Sequence, residues 1–101
     1  MKLYVDTSNN KKTIVSLDDD RVEQATGIDK SQQVLSLINQ TILKKGINLE
    51  DITEIEFNRG PGSFTGLKVG AAVANTLGWV LGIPVNGKNL EREGPVEPIY
   101  E

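Results

Sequence analysis

The chain has 101 residues, 14 acidic against 11 basic, giving a net charge of −3, and it contains neither cysteine nor histidine. One domain of this size buries roughly two thirds of the surface its unfolded chain exposes, enough for a core without metals or disulfides. The composition excludes a thiolate metal site, a Ser-His pair and an imidazole base, and a pI near 4.9 argues against gripping nucleic acid directly.

Leu3 and Val5 alternate with Lys2, Tyr4 and Asp6, which predicts a first strand ending in a Ser8-Asn9-Asn10 turn. Thr13 to Leu17 reads as a second strand, Asp18-Asp19-Asp20 as a solvated hairpin turn, and Val22 to Thr26 as a third strand. From Ser31 to Lys45 the residues Val34, Leu35, Leu37, Ile38, Ile42 and Leu43 follow helical spacing, and Gly46 stops the helix. That stripe is wider than one buried face needs, because Leu37 and Leu43 leave the Val34/Ile38/Ile42 line. Ile55 and Phe57 mark a fourth strand, Phe64 to Leu81 a second helix, and Ile83-Pro84-Val85 a short fifth strand.

The order β-β-β-α-β-α-β predicts an α/β domain over residues 1–87, with a mixed five-stranded sheet and two main helices, in a ribonuclease H-like, actin-like layout. Residues 88–101 read as a polar tail docking through Ile99 and Tyr100. The most apolar window, Leu67 to Val85, is interrupted by Lys68, Asn75, Thr76 and Pro84, so no membrane span is expected and a cytosolic location is the default.

Residues 58–70, NRGPGSFTGLKVG, open the second helix with four glycines. A helix start favours an anion, and Gly62, Ser63 and Thr65 are the candidates to hold one. The dedicated templates do not fit. A Walker A loop needs a glycine where Thr65 stands, G-x-G-x-x-G has its third glycine one residue late, and G-x-S-x-G would centre on Phe64. Gly66, Gly70, Ala74, Gly78 and Gly82 recur every fourth residue, so one ridge of the helix is nearly bare, at a cost of roughly 0.5–1 kcal/mol per interior glycine. Such a ridge admits something large close to the backbone. The spacing alone divides evenly between the chain's own sheet and a foreign helix, and the surplus apolar residues of the first helix tilt it toward a partner. A different reading is a metal-dependent nuclease or small phosphotransferase built on Asp6, but Asn58 and Arg59 stand where a further acid would help.

GPGSFTGLKVG with AAVANTLGWVLGIPV closely resembles the signature of the TsaB (YeaZ) family, and LYVDTS and the stretch from Asp29 to Phe57 are similar to its first strand, first helix and fourth strand. Together they cover roughly residues 1–90. The resemblance implies an actin-like, non-catalytic subunit that pairs with TsaD, which transfers a threonylcarbamoyl group to a tRNA adenosine beside the anticodon, with the ATPase TsaE completing the complex. ATP and metal are then expected in TsaD, which binds its metal through histidines, and no cofactor in this chain. In the family the two helices form the pairing surface, which here singles out Val34, Leu37, Ile38, Gly66, Leu67, Gly70, Ala71, Ala74 and Gly78, with a homodimer through the same helices as a further expectation. Family members are about twice as long. VEPIYE is similar to their Pro-x-Tyr ending, which implies an internal deletion, and Lys30 stands where many carry histidine.

Overall fold

The computed structural model describes residues 1–25 and 29–99. Four strands form one mixed sheet in the order β3-β2-β1-β4, built from β1 (Lys2–Asp6), β2 (Lys12–Leu17), β3 (Asp20–Ala25) and β4 (Glu54–Phe57). β1 runs antiparallel to β2 and parallel to β4, with Leu3 opposite both Leu17 and Ile55 and Val5 opposite both Val15 and Phe57. The period-two alternation therefore puts these six residues on one face, all buried, under the helices. The opposite face carries Lys2, Tyr4 and Glu56, with Lys2 Nζ 2.8 Å from the Glu56 carboxylate. β3 starts two residues earlier than the sequence predicts, because Asp20 already pairs with Leu17 and the turn is only Asp18-Asp19. Thr26, the last residue of the predicted strand, lies outside the described residues.

Helix α1 (Lys30–Lys45) begins at Asp29, whose carboxylate accepts the Gln32 N–H, and ends at Gly46, whose left-handed φ of 72° favours glycine. Helix α2 (Phe64–Leu81) is capped by Ser63, whose hydroxyl oxygen accepts the Gly66 N–H. Both helices lie on the apolar face of the sheet, α1 over β2 and α2 over β4 and β1.

The expected fifth strand is not formed. Val85 makes only isolated bridges, to Ile55 and to Lys88. Pro84 has no N–H to donate, so it contributes only its carbonyl, 3.0 Å from the Ile55 N–H, and Asn86 turns the chain away with φ of 49°. The Asn86 amide side chain then continues the ladder, accepting the Phe57 N–H at 2.8 Å and donating to the Phe57 carbonyl at 3.2 Å.

The segment expected as a polar tail contains a short helix, α3 (Leu90–Glu93), and runs back along α2. Asn89 caps α3 by accepting the Glu91 and Arg92 N–H groups, while the Glu93 carboxylate accepts the Asn89 N–H. The anchors are Leu90 and Val96, both buried, and Asn75 of α2, which donates to the Val96 carbonyl and accepts its N–H, both at 2.9 Å. Further on, Ile99 donates its N–H to the Arg59 carbonyl at 2.7 Å. Tyr100, the other expected anchor, lies outside the described residues. Among the described residues no helix is long and apolar enough to cross a membrane.

Candidate protein-docking site

The glycine-rich turn closes over the end of β1. Thr7, fully buried, donates its hydroxyl to the Gly66 carbonyl at 2.5 Å, and Ser63 donates its N–H to the Ser8 carbonyl at 2.7 Å. The turn contains a cis Gly60–Pro61 bond. Gly62 lies so near Ser8 that a Cβ there would stand 2.6 Å from the Ser8 carbonyl oxygen. Of the three residues expected to hold an anion, Ser63 thus uses both its N–H and its hydroxyl within the chain, Gly62 packs on Ser8, and Thr65 is exposed on the first turn of α2.

Asp6 ties this turn to the sheet. Its carboxylate accepts from the Ser8 N–H at 3.0 Å, the Ser8 hydroxyl at 2.6 Å, the Asn58 amide at 3.3 Å and the Tyr4 hydroxyl at 3.4 Å. Burial raises its pKa, but the hydrogen bonds from Ser8, Asn58 and Tyr4 outweigh that and hold it below the ordinary 3.8. Both oxygens are occupied by structural donors. Among the described residues no three Asp or Glu side chains gather into a metal-binding group. Lys30 sits beside the start of α2, donating to the Asn9 carbonyl at 2.9 Å, and burial lowers its pKa against the opposing pull of Asp6.

A carboxylate with a lowered folded-state pKa adds stability that is complete above the unfolded value and disappears as pH falls through the folded one. Urea titrations of wild type and Asp6→Asn are therefore expected to differ most near neutrality and to converge below about pH 4. A difference that grows on acidification would show that the Asp6 charge is a burden to the fold.

The bare ridge of α2 faces inward, which corrects the expectation of an open groove. A Cβ on Gly66 would overlap the Thr7 carbonyl oxygen, one on Gly70 the Thr7 hydroxyl, and one on Gly78 a Val85 methyl. The small residues let the helix backbone sit on the end of β1 and on the Val85 segment. Leu67, Ala71 and Ala74 fill the same interface, and Val34, Leu37 and Ile38 are buried beneath α1. None of the nine residues singled out for partner contact is therefore on the surface. Leu37 left the apolar line because it belongs to the flank of α1 over the hairpin, shared with Thr41, and not because it was surplus.

Other residues form the outer surface. Gln33 of α1 donates to the Ala25 carbonyl and Lys45 pairs with Asp20, so that flank of the helix faces β3. The opposite flank carries Leu35 and Leu43, 51% and 70% exposed. On α2, Asn75 marks the flank held by the tail, and the opposite flank carries Val69, Val73 and Val80, the last 72% exposed. The helices start side by side, Lys30 Nζ lying 3.0 Å from the place of a Gly66 Cβ. Leu35, Leu43 and Val80 are the exposed apolar side chains of this outer surface, while Val69 and Val73 are half-buried and pack against the core. Exposed apolar side chains gathered along two neighbouring helices mark an interaction site. Helical periodicity placed Leu43 correctly as surplus. Val80 was hidden among the other apolar residues of a helix that is apolar nearly all round.

Comparison with known proteins identifies the family and the fold. The family model for TsaD, tRNA N6-adenosine threonylcarbamoyltransferase, matches residues 24–89. The tRNA threonylcarbamoyladenosine biosynthesis protein TsaB of Bacillus subtilis is 30% identical over 98% of this chain and 49% of its own length. TsaB of Haemophilus influenzae is 36% identical over 54% of the chain and 23% of its own length. Among solved structures, YeaZ from Pseudomonas aeruginosa superposes with a TM-score of 0.72 at 25% identity, covering 83% of this chain and 41% of that one. The chain thus spans about half the length of its Bacillus relative, and the α/β fold with a mixed sheet is that of YeaZ and the TsaD-like, actin-like proteins, with four strands in this sheet where five were expected. The chain belongs to the TsaB (YeaZ) family, within the wider group that the TsaD model describes.

Proposed function

We propose that this chain acts in the biosynthesis of tRNA threonylcarbamoyladenosine as a non-catalytic subunit that docks on TsaD and supports its transfer reaction. Docking uses the surface formed by Leu35 and Leu43 of α1 with Val69, Val73 and Val80 of α2. The buried ridge beneath, from Gly66 to Gly78, fixes the spacing of the two helices and so the shape of that surface. ATP and metal are held by TsaD, and this chain meets the tRNA only through the complex. TsaE joins the assembly, the location is the cytoplasm, and a homodimer through the same helices competes with the TsaD complex.

The observation that carries this reading is the apolar surface along the two helices in a chain that matches TsaB proteins. Supporting the non-catalytic part, Asp6 is committed to holding its own turn, and the chain has no histidine. Reconstitution tests it: purified TsaD and substrate tRNA with the chain added are expected to form more threonylcarbamoyladenosine than with the chain omitted. Equal product would reject the proposal.

A further inference from the structure

At the far end of α2, Trp79 stands 62% exposed between two clefts. One, of about 180 Å³, is floored by Gly78 and Gly82 and walled by Leu90 and Glu91. The other, of about 330 Å³, is shallow, mostly apolar and lined by Asn75, Thr76, Leu90 and Pro95. Leu90 is the wall common to both, so the docked tail creates the site. Trp79 is the single tryptophan of the chain.

Three features at this end of α2 are open to a cation. The exposed ring of Phe64, at the start of the same helix, has Lys68 Nζ 5.1 Å from its centre. Among the described residues no cation stands over Trp79, and its ring N–H finds no acceptor. Glu93 is used in capping α3, whereas the Glu91 carboxylate has no hydrogen-bond or ion-pair partner among the described residues, Arg92 included. The last turn of α2 contains no basic residue, although the negative end of an 18-residue helix favours a cation.

From these we infer that the Trp79 cleft receives an arginine side chain from a partner protein, flanked in the partner by an apolar residue. The guanidinium lies on the indole face and reaches the Glu91 carboxylate, and the flanking side chain enters the apolar cleft beyond Trp79. Arginine fits better than lysine because its flat, weakly hydrated group stacks on a ring while its edge donates to a carboxylate. The net charge of −3 favours approach of a basic segment. Trp79 adjoins Val80 in sequence but lines clefts on the Asn75 flank of α2, and the titration below uses the chain without TsaD, so its outcome does not depend on that reading.

Because Trp79 is the single tryptophan, emission excited beyond the absorption band of the two tyrosines comes from this cleft. Titration with acetyl-Leu-Arg-Leu-amide is expected to give a saturable change in emission, about tenfold weaker in apparent affinity for the glutamine counterpart of the peptide and for Glu91→Gln. Added sodium chloride should weaken the arginine peptide more than the glutamine one. Glu91 is exposed, and circular dichroism of the variant serves to show that its fold is intact. An equal response to both peptides would mean a purely apolar occupant and overturn the inference, as would an unchanged affinity in Glu91→Gln or the absence of any saturable change.

Discussion

Gly66→Ala is expected to destabilise the protein by about 3 kcal/mol, although alanine is the better helix former by about 1 kcal/mol. The new Cβ would overlap the Thr7 carbonyl oxygen, a backbone atom at the end of β1 that cannot rotate away. Relief requires lifting the first turn of α2, which would break the buried bond from the Thr7 hydroxyl to the Gly66 carbonyl. For a domain whose total stability is of order 5–15 kcal/mol, that is a large fraction, and it should lower the melting temperature by on the order of 15 °C. Gly70→Ala meets the same Thr7 hydroxyl and should fall in the same class. Ala72, exposed on the same helix, is the control: Ala72→Leu should leave the urea midpoint nearly unchanged, within about 0.5 kcal/mol. If Gly66→Ala melted with wild type, the ridge would not be in contact with β1, and the packing described here would be wrong.

The second large effect belongs to the outer surface. Leu43→Glu combined with Val80→Glu should abolish co-purification with TsaD while leaving the melting temperature close to wild type. Both side chains are at least 70% exposed, so charging them removes almost nothing from the core. In a complex they would be desolvated beside another apolar surface, where a carboxylate without a partner is costly. Adding two unpaired charges to a desolvated apolar contact should cost at least about 3 kcal/mol in all, so the pair should weaken binding by at least about a hundredfold. A lone Gly70→Leu variant, by contrast, would lose binding by losing its fold and would say nothing about the surface. Retained binding by the folded double variant would place the TsaD contact elsewhere on the molecule.

Much of this fold is legible in the sequence because the signals are local. The alternation of Leu3 and Val5, the Asp29 and Gly46 caps of α1 and the Ser63 cap of α2 each act within a few residues. The direction of the α2 ridge is not local. Glycines every fourth residue announce that something approaches the backbone, but whether that is Thr7 or a foreign helix depends on where β1 ends in space. Three asparagines were passed over for a similar reason. Asn75 reads as an interruption of the apolar window and Asn58 as the place of a missing acid, yet Asn58 donates to the Asp6 carboxylate, and Asn75 and Asn86 pair with backbone groups of Val96 and of Phe57 at the edge of β4. An amide side chain can imitate a strand neighbour, and composition gives no sign of it. The apolar pattern of the two helices favours their buried sides, since apolar residues on several faces do not show which face the sheet covers.

The proposed function divides labour between the two sides of the helices: small residues face inward and set their spacing, and Leu43 and Val80 face outward, where TsaD is proposed to dock. The most direct measurement is threonylcarbamoyladenosine formed on tRNA by TsaD in the presence of wild-type chain or of the folded Leu43→Glu/Val80→Glu chain. Stimulation by wild type, with product at the level of TsaD alone for the double variant, is the predicted result. Equal stimulation by both would contradict it.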